Sequence, residues 1–262
     1  MPQVETTFRD GAAYERLMGR WSRLVGTPFL DWMDLPPGLD WLDAGCGNGA
    51  FSEQIVTQAR SRSLTGLDPA PAQLAYARQR PGLGTARFHQ GDAQSLPFPD
   101  ASFDVSAMAL VIAFIPDPAR ALAELTRVTR PGGWIATYMW DLPGGLPLAP
   151  LFRALAALGR PGAMPPSAAV STAPALASLW ADAGLRGIET TTIRIPVTFR
   201  DFQDFWETNI LPVGPQAEAI QALSPDERNR LRQTLQASLP TAADGSITYH
   251  AVANAVKGRR QA

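Results

Sequence analysis

Residues Trp41 to Gly49, Trp-Leu-Asp-Ala-Gly-Cys-Gly-Asn-Gly, constrain the fold of this chain more than any other stretch. An apolar run through Leu42 meets Asp43 and then a turn with Gly45, Gly47 and Gly49. Phe51, Ile55, Val56 and Ala59 follow at spacings that share one helical face. A strand, a glycine turn and a helix bring bare backbone N–H groups and a helix N-terminus up to a ligand. Glycine is needed there because a Cβ blocks either the backbone angles or the ligand's approach. Such a turn also occurs as a plain strand-to-helix joint, so it does not decide function alone.

The next stretch narrows the reading. Ser63 to Leu67 reads as a second short strand and ends in Asp68. An acid about 20 residues beyond the turn stands where nucleotide-binding α/β folds accept hydrogen bonds from ribose hydroxyls. A ribose-containing cofactor is therefore expected. A nicotinamide fingerprint wants G-x-G-x-x-G, whereas this turn is G-x-G-x-G with an acid two residues before it. Asp43 also suits a pyrophosphate poorly, whereas a zwitterionic ligand with an ammonium and a sulfonium would tolerate it.

Asp43-Ala44-Gly45-Cys46-Gly47-Asn48-Gly49 resembles the first motif, D/E-x-G-x-G-x-G, of the class I S-adenosylmethionine-dependent methyltransferases. Gly66-Leu67-Asp68-Pro69-Ala70 resembles the second motif, and Phe88 to Phe98, with Gly91-Asp92-Ala93, the third. Ser102-Phe103-Asp104-Val105 and Arg127 to Gly133 match the approaches to the fourth and fifth strands. The match spans residues 40 to 140 and points to the small-molecule branch typified by ubiquinone and menaquinone methyltransferases. The resemblance implies a Rossmann-like α/β fold with a seven-stranded, mostly parallel sheet, a helical N-terminal leader and a helical cap insertion. It also implies S-adenosylmethionine as cofactor, with the methionyl portion at Asp43, Gly45, Cys46, Gly47 and Gly49. Asp68 and Pro69 would take the ribose, Asp92 and Ala93 the adenine, and Met108 would lie toward the methyl group.

Composition limits the alternatives. The formal charge is −1 and the arginines are scattered, which gives no nucleic-acid footprint. The single cysteine, Cys46, excludes an internal disulfide, fits a reducing compartment and reads as a small filler within the turn. No metal ligand set is expected. The N-terminus lacks a signal-peptide core, and the longest apolar run, 107–116, is too short to span a bilayer. A cytoplasmic protein, monomeric or homodimeric and without a membrane or nucleic-acid partner, is expected.

Residues 12 to 34 show helical spacing, within a leader of residues 1–38. By the resemblance, such a leader folds over cofactor and substrate, so Tyr14 is a candidate face for the sulfonium and Arg20 for the methionyl carboxylate. Packing explains either residue equally well. The core is expected over 39–200 and 245–262, with strands at 85–90, 104–112, 134–140, 188–199 and 246–256. Asp117-Pro118 is expected to cap a helix whose buried face carries Ala121, Leu122, Leu125 and Val128. Residues 148–160, 173–183 and 201–239 read as helical, and 201–244 as the cap.

Two catalytic candidates stand out. Asp141, delivered to the sheet's carboxyl edge by the fifth strand, is a general base, a polar anchor or simply the Asp of a turn before Pro143-Gly144-Gly145. His250, one of two histidines, is a candidate base, although an exposed or satisfied histidine is the commoner case. The expected activity is methylation of a small, largely apolar or aromatic metabolite on oxygen, carbon or nitrogen. Enzymes that methylate an amide or exocyclic amine commonly carry Asn/Asp-Pro-Pro-Tyr/Phe at the fourth strand, whereas residues 104–107 read Asp-Val-Ser-Ala, which argues against DNA-adenine and glutamine methylation. The rival readings are an RNA or protein methyltransferase, a non-catalytic cofactor-binding protein and a nicotinamide-dependent dehydrogenase.

Overall fold

The computed structural model describes residues 20–210 and 216–261. Helix α1 (Arg20–Met33) leads into β1 (Asp40–Ala44), α2 (Ala50–Thr57), β2 (Ser63–Asp68), α3 (Pro71–Ala77) and β3 (Arg87–Gln90). Then come β4 (Phe103–Ala109), α4 (Pro118–Val128), β5 (Thr129–Trp140), α5 (Ala149–Ala157), α6 (Ala173–Asp182) and β6 (Arg186–Phe199). Helices α7 (Phe202–Asn209), α8 (Ala217–Gln221) and α9 (Pro225–Ser238) lie between β6 and the last strand, β7 (Ile247–Arg259). Tyr14 falls outside the described residues, as does the side chain of Arg20.

The seven strands form one sheet in the order β3-β2-β1-β4-β5-β7-β6. β1 pairs in parallel with β2 and β4, and β7 pairs antiparallel with both β5 and β6. The chain therefore runs outward from β1 to β3 and then returns to the other side of β1. That reversal opens a crevice at the carboxyl ends of β1 and β4, where open α/β sheets bind ligands.

Local chemistry explains the element ends. Asp117 caps α4 by accepting from the Arg120 amide at 3.0 Å, Pro118 sits in the first turn, and Ala121, Leu122, Leu125 and Val128 are buried. Ser224 and Glu227 form a reciprocal capping box on α9. β4 stops at Ala109, three residues short of the expected end, because Leu110 takes a left-handed φ of 61° and a short 3₁₀ turn follows at Ile112–Phe114. The helical stretch expected over 201–239 is broken into three helices.

The amino edge of the sheet is a charge lattice. Asp40 and Asp104 accept from Arg62 and Arg130, and the carboxyl of Asp40 is held far below the usual carboxylate range, chiefly by the Arg62 hydrogen bond. Lys257, buried on β7, donates to the Trp32 carbonyl at 3.0 Å at the end of α1 and lies over the Trp32 ring. It thus satisfies a carbonyl that the helix leaves open, with favourable charge for that end. Lys257→Met is expected to cost about 1.5–3 kcal/mol, the worth of a charged hydrogen bond, read as a lower urea midpoint with unchanged slope.

Candidate functional site

β1 delivers Asp43 to the crevice with its carboxyl fully buried. One oxygen, Oδ2, accepts from the Ser52 hydroxyl at 2.6 Å, while Oδ1 has no hydrogen-bond partner. Burial, with a smaller push from the charge of Asp68, raises this carboxyl to about 7 against the opposing Ser52 bond. A buried acceptor without a donor is costly and points to a group that arrives with the ligand.

Backbone bonds from β2 hold the glycine turn against that acid. The Gly45 and Cys46 amides both donate to the Leu67 carbonyl, at 2.6 and 3.0 Å, and the Gly47 amide donates to Asp68 Oδ2 at 2.9 Å. Gly45 has φ +80°, and a Cβ there would stand 2.6 Å from two methyl carbons of Val111. Gly47 has φ +51° and nothing within 4 Å of the position a Cβ would take, so the space above it is open. Gly45→Ala therefore combines backbone strain with a steric clash, for roughly 3 kcal/mol. Urea unfolding should show that loss, whereas an unchanged midpoint would mean Val111 yields freely.

Asp68 lies at the carboxyl end of β2 and is 8% exposed. Its Oδ1 accepts from the Ala70 amide at 2.9 Å, and burial raises its carboxyl above the ordinary value. Each oxygen keeps acceptor capacity beyond its one amide bond. Pro69, beside it, is exposed. Asp92 follows β3, and Gln94 ties its carboxylate through both its backbone amide and its side chain, at 2.9 to 3.1 Å. Ala93 is buried next to it.

Cys46 is buried, and burial followed by the charges of Asp43 and Asp68 pushes its thiol well up. It is thus a poor nucleophile, and its sulfur fills the space beside Gly66. Met108 is fully buried within β4, and its carbonyl accepts from the Thr137 hydroxyl. Asp141 follows the last residue of β5, and its Oδ1 accepts from the Asn254 side-chain amide at 3.2 Å. His250 lies four residues before Asn254 on β7 and is exposed. Asp43, the glycine turn and Asp68 are thereby brought together, whereas Asp141 and His250 belong to different stretches of the β7 face.

Several contributing residues carry no sequence signal. Ser52 matters because it meets Asp43 nine residues away, and Asn254 because it meets Asp141 across 113 residues. Arg80, buried beneath the turn, donates to the Asn48 carbonyl at 2.6 Å and pairs with Glu53 at 3.1 Å.

The arrangement fits S-adenosylmethionine. The orphaned oxygen of Asp43 is matched to a cationic group, the open space over Gly47 to close backbone approach, and Asp68 to vicinal hydroxyls. Among the described residues no group of three His, Cys, Asp or Glu side chains could hold a metal ion, and no helix is long and apolar enough to cross a membrane.

Comparison with known proteins agrees. A methyltransferase domain family matches residues 42–137. Malonyl-[acyl-carrier protein] O-methyltransferase of Serratia marcescens is 40% identical over 132 residues, covering 50% of each chain. Demethylmenaquinone methyltransferase of Deinococcus radiodurans is 35% identical over 114 residues, 43% of this chain and 47% of that one. The chain spans about half the length of these curated relatives. In fold it resembles Haemonchus contortus phosphoethanolamine N-methyltransferase 2, solved with S-adenosyl-L-methionine, at a TM-score of 0.59 and 18% identity, over 99% of this chain and 59% of that one. With the glycine turn, the acids of β1 and β2 and the seven-stranded sheet in the same order of motifs, residues 42–137 carry a methyltransferase domain of the class I S-adenosylmethionine-dependent kind.

Proposed function

We propose that this protein transfers the methyl group of S-adenosylmethionine to a small, largely apolar or aromatic metabolite. The observation that carries the reading is the pairing of a buried, half-satisfied Asp43 with Asp68 across the glycine turn at the carboxyl edge. The bound cofactor supplies an already activated methyl carbon. What remains for the chain is to align the acceptor, exclude water and remove a proton where the acceptor carries one. The glycine turn and Asp43 would hold the methionyl end, Asp68 the ribose and Asp92 the adenine amine. Tyr14 and Arg20 of the leader are proposed to close over the methionyl end.

Asp141 is proposed as the acceptor-side acid. It stands at the end of β5, on the carboxyl edge, with Asn254 fixing one carboxylate oxygen. That bond orients the carboxylate and leaves Oδ2 for an acceptor hydroxyl or amine. His250 is less suited to act with it, since Asn254 and not the imidazole is the group that meets the carboxylate.

The test is calorimetric titration of purified protein with S-adenosylmethionine, followed by labelled methyl transfer to a panel of phenols, quinols and carboxylic acids. Micromolar cofactor binding and transfer that falls at least a hundredfold in Asp141→Asn, with cofactor affinity unchanged, is the expected result. Absence of cofactor binding would end the reading. Tight NADH binding would replace it with a dehydrogenase.

A further inference from the structure

The surface between α5, α9 and the start of β7 opens into a cleft of about 380 Å³. This lies within the usual range of small-molecule sites. The cleft shares no residue with the glycine turn or with Asp68 and Asp92, so it is a second feature of the fold. Leu146, Ala154 and Leu239 give it an apolar wall.

Its polar lining includes one permanent cation and no acid among the described residues. Arg153, His250 and Thr234 can donate into the cleft, and the Ser238 and Tyr249 hydroxyls already donate to the Leu235 and Pro147 carbonyls. Arg153 makes no ion pair among the described residues, whereas the neighbouring Arg160 is engaged by Glu227 at 3.1 Å. The cleft also takes in Ala149 and Pro150, the start of α5, where no side chain caps the helix and no acid stands in the first turn. A guanidinium with no carboxylate facing it, at the mouth of an apolar-walled cavity, matches an anionic head on an apolar body.

We infer that this cleft binds a small amphiphilic anion, a carboxylate or phosphate carried on an apolar chain or ring. Arg153 engages the head, with Thr234 or His250 donating beside it, and the apolar wall takes the body. The inference goes beyond methyl transfer and does not depend on it.

Octanoate, octyl phosphate and octanol are the probes, titrated calorimetrically into wild type, Arg153→Gln and, as a control, the exposed Arg200→Gln. At least one of the two anions should bind at least tenfold more tightly than octanol, and the stronger of them identifies the head group. Arg153→Gln should weaken that binding tenfold or more, Arg200→Gln should not, and S-adenosylmethionine binding should be the same in all three proteins. An unchanged thermal midpoint in Arg153→Gln shows that the loss is not unfolding. Equal binding of octanol, equal binding to Arg153→Gln, or no binding of either anion would overturn the inference. Loss of cofactor binding in wild type would instead count against the methyltransferase reading alone.

Discussion

Asp68→Ala is expected to weaken S-adenosylmethionine binding by a hundredfold or more. In the role proposed for Asp68, two ribose hydroxyls would donate to one carboxylate, at about 1.5–3 kcal/mol each, for roughly 3 kcal/mol before any other loss. That is about a hundredfold in affinity. The same carboxylate also holds the ligand site together, because Oδ2 accepts from the Gly47 amide and Oδ1 from the Ala70 amide. Alanine leaves both amides without their acceptor and frees the turn to move away from β2. Asp68→Asn separates the two roles: its one carbonyl oxygen can keep one amide bond but cannot accept as an anion. Asparagine should therefore fall between wild type and alanine by calorimetry. Equal affinities for all three would show that the ribose is held elsewhere.

The legibility of this fold from sequence follows from how local each determinant is. The turn at Gly45 to Gly49, the acid at Asp68 and the Asp117-Pro118 cap are each set by a few neighbouring residues, so spacing alone reveals them. Met108 shows the limit of that approach: strand periodicity places it on β4, but only the packed core shows that it is fully buried. The early end of β4 depends on a left-handed Leu110, a conformation that a leucine does not advertise. The partners of the site are less legible still. Asn254 reaches Asp141 only because β7 inserts antiparallel beside β5, and Arg153 and His250 line one cleft only because α5 and β7 flank it. These are consequences of topology, and no short window of sequence contains them.

Asp43 makes a second large effect depend on pH. Its carboxyl, raised to about 7 in the folded protein by burial, sits near 3.9 in an unfolded chain. Between those values the folded state holds more protons than the unfolded one, so stability falls as pH rises. The contribution is fully present below about pH 4 and gone above about pH 7, and it amounts to roughly 4 kcal/mol at about 1.4 kcal/mol per pKa unit. Asp68, whose carboxyl is also raised by burial, acts in the same direction.

Cofactor binding should run the opposite way. A ligand that brings positive charge to the unpartnered Oδ1 favours the ionised acid, so binding below pH 7 must expel a proton. Affinity for S-adenosylmethionine is accordingly expected to rise about eightfold between pH 6 and pH 7.5, a window kept below the usual α-amino value. Asp43→Asn retains a carbonyl for Ser52 to donate to but cannot ionise. It should bind at least tenfold more weakly at pH 7.5, with a flattened pH slope and a thermal midpoint less sensitive to pH. Calorimetry in buffers of different ionisation enthalpy would count the released proton directly. A slope that survives in Asp43→Asn and vanishes in Asp68→Asn would move the titration to the ribose acid, and with it the origin of the cofactor's charge recognition.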